Sequence, residues 1–210
     1  PRSTFLVVDP TNGDWDGVSG IVAEHVNGPI ALSDINQDGH DDVIGVIDSQ
    51  LFSFDLFNSF NELWRSIPLF DDSVDVEVAN LDNDTETELL VLTKTLLEIR
   101  DRKPGAVANS DALFSNIFLF SASVAGDNLT AVSSIDIDNN GTTEIYVSDA
   151  GESSSTIKVV AMDGESFGSF DIGGEVNDML ADSTNGQLLV AWSVPSAEEG
   201  MPALTYVSAY

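Results

Sequence analysis

Apolar residues in this chain come in short runs bounded by turn residues, not at the spacing of a helix. Val43-Ile44-Gly45-Val46-Ile47, Leu89-Leu90-Val91-Leu92 and Ile145-Tyr146-Val147 are apolar at nearly every position. This is the pattern of a strand covered on both faces. β-branched and aromatic residues fill the runs, and no long stretch of period 3.6 is present. Turns as short as Asp48-Ser49-Gln50 join neighbouring runs into antiparallel hairpins.

The runs belong to a repeat. Asp34-Ile-Asn-Gln-Asp-Gly-His-Asp-Asp42, Asn80-Leu-Asp-Asn-Asp-Thr-Glu-Thr-Glu88 and Asp136-Ile-Asp-Asn-Asn-Gly-Thr-Thr-Glu144 align without gaps. Each follows a strand-like stretch (30–33, 74–79, 131–135) and runs straight into one of the apolar strands. A shorter copy starts at Asp182 and ends at Gln187, ahead of Leu188-Leu189-Val190. The starts lie 46, 56 and 46 residues apart. Thr156–Asp163 resembles Ser3–Asp9, and both lead through a Gly-containing turn into another strand (167–172 and 18–23).

The unit therefore reads as four antiparallel strands with an acidic loop between the first two. Such units at intervals of roughly 40–50 residues are the arithmetic of an all-β, β-propeller fold. A sandwich would not place the same loop in successive units. The expected units are 1–28 (partial), 29–73, 74–127, 128–173 and 174–210 (partial). Seventeen strands result, a leading pair, three full units and a trailing three. That number closes no whole set of blades, so the 210 residues read as a single arc of a larger ring. Val7 and Val8 at one end, and Tyr206 and Val207 at the other, would then pack on further polypeptide or a second copy. The start at Pro1, without Met or a basic-then-apolar leader, reads as a removed signal peptide or a piece of a longer chain.

Oxygen atoms at alternate positions 1, 3 and 5 of a tight loop converge, and an acid at position 9 closes the cage. Hard, adaptable Ca²⁺ suits such a cage better than Mg²⁺, which demands octahedral geometry. The candidate ligands are Asp34, Asn36, Asp38, His40 and Asp42 in the first loop. In the second they are Asn80, Asp82, Asp84, Glu86 and Glu88, and in the third Asp136, Asp138, Asn140, Thr142 and Glu144. His40, at position 7, would offer only its backbone carbonyl. Gly39 and Gly141 hold position 6, where the chain turns sharply, whereas the second loop has Thr85 there. On this count the first loop should bind most tightly, the second least and the short fourth loop not at all. Two to three ions are expected. An EF-hand needs a carboxylate at position 12 between two helices. Here position 12 is Gly45, Val91 or Val147, each inside an apolar strand.

Strand, DxDxDGxxD-type loop and apolar strand, repeated over residues 29–193, resemble the FG-GAP/VCBS repeat family. The resemblance implies a β-propeller with stabilising Ca²⁺ in its hairpin loops. It is closer to the bacterial branch than to integrin α chains, because the Gly-Ala-Pro tripeptide is missing and Phe167-Gly168 is the sole Phe-Gly pair.

Charge narrows the function. Seven Lys and Arg face 36 Asp and Glu, a net −29. Such a chain repels nucleic acid and anionic membranes. Salty, calcium-bearing surroundings outside the cell, secreted or at the cell surface, suit this acidity. Cysteine is absent, which removes disulfides, zinc–thiolate sites and thiol catalysis. Two histidines, His25 and His40, sit in different units, and no catalytic set assembles from the sequence. The expected function is therefore a calcium-stabilised, non-catalytic adhesion module that contacts a protein or glycan. A carbohydrate-active propeller enzyme and a structural shell of a larger secreted protein are the alternatives. Trp15, Trp64 and Trp192 read as blade packing. Arg100, Arg102 and Lys103, at the start of a loop running to about Ala112, read as a candidate contact surface.

Overall fold

The structure, a computed structural model, describes residues 3–8, 15–22, 26, 28–57, 61–69, 71–82, 84, 86–102, 128–194 and 204–210. Sixteen strands and no helices lie among these residues. A hairpin of β1 (Ser3–Val8) and β2 (Trp15–Val22) comes first. Sheet I follows with β3 (Ile30–Ser33), β4 (Asp42–Ile47), β5 (Gln50–Phe54) and β6 (Glu62–Pro68). Sheet II holds β7 (Ser73–Ala79), β8 (Glu88–Thr93) and β9 (Leu97–Arg100). Sheet III holds β10 (Leu129–Ile135), β11 (Glu144–Ala150), β12 (Ser155–Val160) and β13 (Ser166–Ile172). Sheet IV holds β14 (Glu175–Asp182), β15 (Gln187–Val194) and β16 (Leu204–Ala209). Each sheet is an up-and-down antiparallel meander in chain order. The fourth strand expected for the second unit falls in 103–127, outside the described residues, as does Lys103.

Local chemistry explains the tight connections. Between β4 and β5, Asp48 and Ser49 take φ of 48° and 60°, the paired left-handed residues of a two-residue type I′ hairpin. Their twist matches that of the flanking strands, so Ile47 pairs directly with Gln50.

Sheets I to IV pack in sequence order, through contacts of β3 with β7, β7 with β10, and β10 with β14. The second strands form the core of each junction. Ile44 and Val46 of sheet I meet Leu89 and Val91 of sheet II. Leu90 and Leu92, from the opposite face of β8, meet Ile145 and Val147 of sheet III. Tyr146 of sheet III then meets Leu188 and Val190 of sheet IV. Alternate residues of β8 thus serve two junctions, which is why it is buried at every position, while β4 buries its other face with Phe52, Phe54 and Leu56. Trp64 lies in the first junction and Trp192 packs against the third. Both are packing residues, as expected; the side chain of Trp15 lies outside the described residues.

Polar stitches add to this packing between sheets II and III. Asp75 Oδ2 accepts the Val132 N–H at 2.9 Å, and Glu77 Oε1 accepts the Ser134 N–H at 3.1 Å and its hydroxyl at 2.9 Å. Burial pushes Asp75 up to about 6 and Glu77 up to about 7, while these hydrogen bonds pull the other way.

Candidate metal centre in the acidic loops

The three nine-residue loops span the β3–β4, β7–β8 and β10–β11 connections, so all join the first two strands of a sheet. Their internal hydrogen bonds repeat position by position. The position-9 carboxylate (Asp42, Glu88, Glu144) accepts the N–H of position 2 (Ile35, Leu81, Ile137) at 3.0, 2.6 and 3.1 Å. The position-3 oxygen accepts the N–H of position 5 in each loop. The position-5 oxygen accepts that of position 7. In loops I and III, Asp34 and Asp136 also accept the position-6 glycine N–H at 2.8 Å. Gly39 and Gly141 have φ of 91° and 88°, a conformation that strains any side chain. Thr85, at this place in loop II, lies outside the described residues.

The loops differ in where they bring carboxylates together. Asp82, Asp84 and Glu88 of loop II each offer an oxygen within 4.8 Å of the others, and so do Asp136, Asp138 and Glu144 of loop III. Ligands across one Ca²⁺ stand about 5 Å apart, so either triad fits a single ion. Asn80 of loop II departs from the acid pattern: its Nδ2 donates to the Asp84 carbonyl at 2.6 Å. Loop I gathers no such triad among the described residues. Asn36 sits between its acids, and its Nδ2 donates to Asp38 Oδ2 at 3.1 Å and Asp55 Oδ2 at 3.4 Å. Carboxylate grouping thus orders the loops differently from glycine counting, because the amide at position 3 separates the carboxylates at positions 1 and 5 of loop I.

Burial makes the position-9 acids costly without a cation. Glu88 is fully buried, and its Oε1 has no hydrogen-bond partner. Burial, then repulsion from Asp82, Asp101 and Asp84, pushes Glu88 up to about 7 against the pull of the Leu81 N–H. Asp42 is pushed up to about 6 by burial and by Asp55 and Asp38. Glu144 is raised by burial with Asp138 and Asp136. A divalent cation would reverse this repulsion and give Glu88 Oε1 a partner.

Two acids beside the loops had no sequence signal. Asp55 follows β5 and Asp101 follows β9. The pairs Val43–Phe54 and Leu89–Arg100 put them opposite Asp42 and Glu88. Only the hairpin register, two strands away from each loop, could have found them.

Two expectations are corrected here. Arg100 is 2% exposed and pairs at 2.8 Å with the fully buried Glu98, while Arg102 pairs with Glu86 at 3.0 Å. These arginines are interior ion pairs and offer no contact surface. Arg102 also holds the Glu86 side chain, leaving its carbonyl as the oxygen to offer. In sheet IV, Asp182 pairs with Gln187, so Asp182 matches Ala79 and Ile135, the last residues of their strands, and not position 1. Loop IV is only 183–186, where loop II spans 80–87.

Loops II and III touch, since the Thr143 hydroxyl donates to the Asn80 carbonyl at 3.2 Å. A cleft of about 430 Å³ beside them is lined by Leu81, Asp82, Thr142, Ala161, Met162 and Asp163. His40 of loop I stacks on Phe57 at 4.4 Å.

No family model and no curated protein matches the chain. Among solved structures it is similar to a protein of unknown function from Bacteroides caccae, with a TM-score of 0.54 at 10% identity. The match covers 90% of this chain and 61% of that one, so this chain spans less than two thirds of its neighbour's length. At that identity the likeness concerns the fold alone.

Proposed function

We propose that this chain is a calcium-stabilised, non-catalytic binding module of the FG-GAP/VCBS type. Its sheets are the blades of a β-propeller arc, and it works outside the cell on a protein or glycan. Support for the propeller reading comes from sheets that follow one another in chain order. Their first strands, β3, β7, β10 and β14, together line one groove of about 340 Å³. The observation that carries the metal reading is the buried Glu88 carboxylate with an unpartnered oxygen, one member of a triad of acids. Calcium held by such triads ties the first two strands of a sheet together and fixes the loops that border the Leu81–Met162 cleft. That cleft, with apolar walls and Asp82 at the metal site, is the contact surface this reading favours. Of the buried acids of the central groove, Asp75 and the Oε1 of Glu77 are engaged by β10, while Glu77 Oε2 is buried without a hydrogen-bond partner.

Calorimetric titration with CaCl₂ tests this reading. Wild type should bind at least two ions. Asp84→Ala and Asp138→Ala should each remove one, and Asp38→Ala should change the titration least. Loss of binding in Asp38→Ala alone would return the principal site to loop I and refute the triad argument.

A further inference from the structure

The acids of loop II are joined by one from outside the loop. Glu88 is fully buried, its Oε1 has no hydrogen-bond partner, and it shares a triad with Asp82 and Asp84. A buried carboxylate oxygen without a partner calls for an ion or a water. The pair Leu89–Arg100 sets Asp101 directly across from Glu88. Residues that face each other on neighbouring antiparallel strands project from the same side of the sheet. Asp82, Asp84 and Glu86 repel Asp101, and Asp101 in turn repels Glu88. Arg102, the next residue, takes up the Glu86 charge through its 3.0 Å ion pair and ties the end of β9 to the loop.

The repeat shows that this fourth acid is particular to loop II. The same register places Asp55 across from Asp42 in sheet I and Ala161 across from Glu144 in sheet III. Asp55 is occupied: its Oδ1 accepts the Phe57 N–H at 3.0 Å, and its Oδ2 accepts from Asn36 Nδ2 at 3.4 Å. Ala161 brings no charge, and it lines the open cleft with Thr142 and Met162. The three loops thus share nine positions but differ in the residue that the third strand delivers to them.

We propose that Asp101 is the affinity-determining acid of loop II. It acts from the third strand on an ion held by Asp82, Asp84 and Glu88, and it makes loop II the stronger of the two triads. This rests on the metal reading above. A carboxylate just outside a ligand set attracts the divalent ion without having to bind it, and groups so placed change metal affinity about tenfold or more. Without the ion, the same acid only adds repulsion to loop II. Removing it should therefore weaken binding and leave the fold intact.

Calcium titrations of single-site variants test the proposal. Asp138→Ala leaves loop II to be read alone, and Asp84→Ala leaves loop III. In the first background Asp101→Asn should weaken binding about tenfold, Asp101→Glu should keep it within about threefold, and the loss should shrink at higher salt. In the second, Ala161→Asp should strengthen binding about threefold or more, since the cleft gives the new side chain room. In EGTA, Asp101→Asn should melt no lower than its parent, because the interactions it loses are repulsions. Equal affinity in Asp101→Asn and its parent would overturn the proposal and leave the metal reading in place. So would a weaker site accompanied by a lower melting temperature in EGTA. Should Ala161→Asp fail to fold, the two Asp101 variants decide alone. Parents that take up no calcium would refute the metal reading, and this proposal with it.

Discussion

Removing calcium with EGTA should lower the melting temperature of this domain by about 10–20 °C. The two acid triads set the scale. A ligand that binds only the folded state contributes about 2.7 kcal/mol per site at a hundredfold excess over its Kd, hence about 5 kcal/mol for two sites. For a chain of this length each kcal/mol is worth about 2–4 °C. Readdition of Ca²⁺ should restore the curve, and Mg²⁺ should restore it poorly because the loop oxygens do not offer a regular octahedron. Differential scanning calorimetry decides the matter: superimposable curves in EGTA and calcium would mean that the loops hold their shape through hydrogen bonds alone.

Acidification should stabilise the calcium-free protein, which is the opposite of ordinary acid denaturation. Asp42 and Asp75 are raised to about 6, and Glu77 and Glu88 to about 7, in each case chiefly by burial. A carboxylate raised in the folded state holds its proton more tightly there than in the unfolded chain. Its stabilising effect is therefore complete below the unfolded value and is lost as pH climbs through the folded one. In EGTA, stability should rise as pH falls from 8 to 5, most steeply between 7 and 6. For Glu77 alone, a rise from 4.5 to about 7 amounts to roughly 3 kcal/mol at most. Calcium inverts the sign for Glu88 and Glu144, the buried acids of the two triads, since protons then compete with the ion. The calcium-induced gain in melting temperature should therefore be largest at pH 8 and shrink toward pH 5. Denaturant melts at pH 5, 6, 7 and 8, with and without EGTA, measure both slopes. Loss of stability on acidification in EGTA would show that these acids are better solvated than their burial implies.

Which parts of this were legible in the sequence follows from the range of each interaction. Oxygen spacing within a loop is local, so the three loops and the strands that flank them could be read from residue order alone. The consecutive apolar runs 43–47 and 89–92 also declared themselves, because a strand buried on both faces has no polar side to show. Asp55 and Asp101 could not be seen, since only hairpin register brings them opposite Asp42 and Glu88. Arg100 and Arg102 were misread for the same reason. A basic cluster normally implies solvent, but Glu98 and Glu86 pair with these two inside the protein. One amide makes the two orderings of the sites differ: Asn36 keeps the position-3 oxygen on the Asp38 N–H, while its nitrogen is turned toward Asp38 and Asp55.

Anomalous diffraction from crystals grown in calcium decides whether the triads hold ions. One peak is expected among Asp82, Asp84 and Glu88, within bonding distance of Glu88 Oε1, and a second among Asp136, Asp138 and Glu144. Ordered loops with no anomalous peak at either triad, and with Glu88 Oε1 satisfied by water, would contradict this expectation.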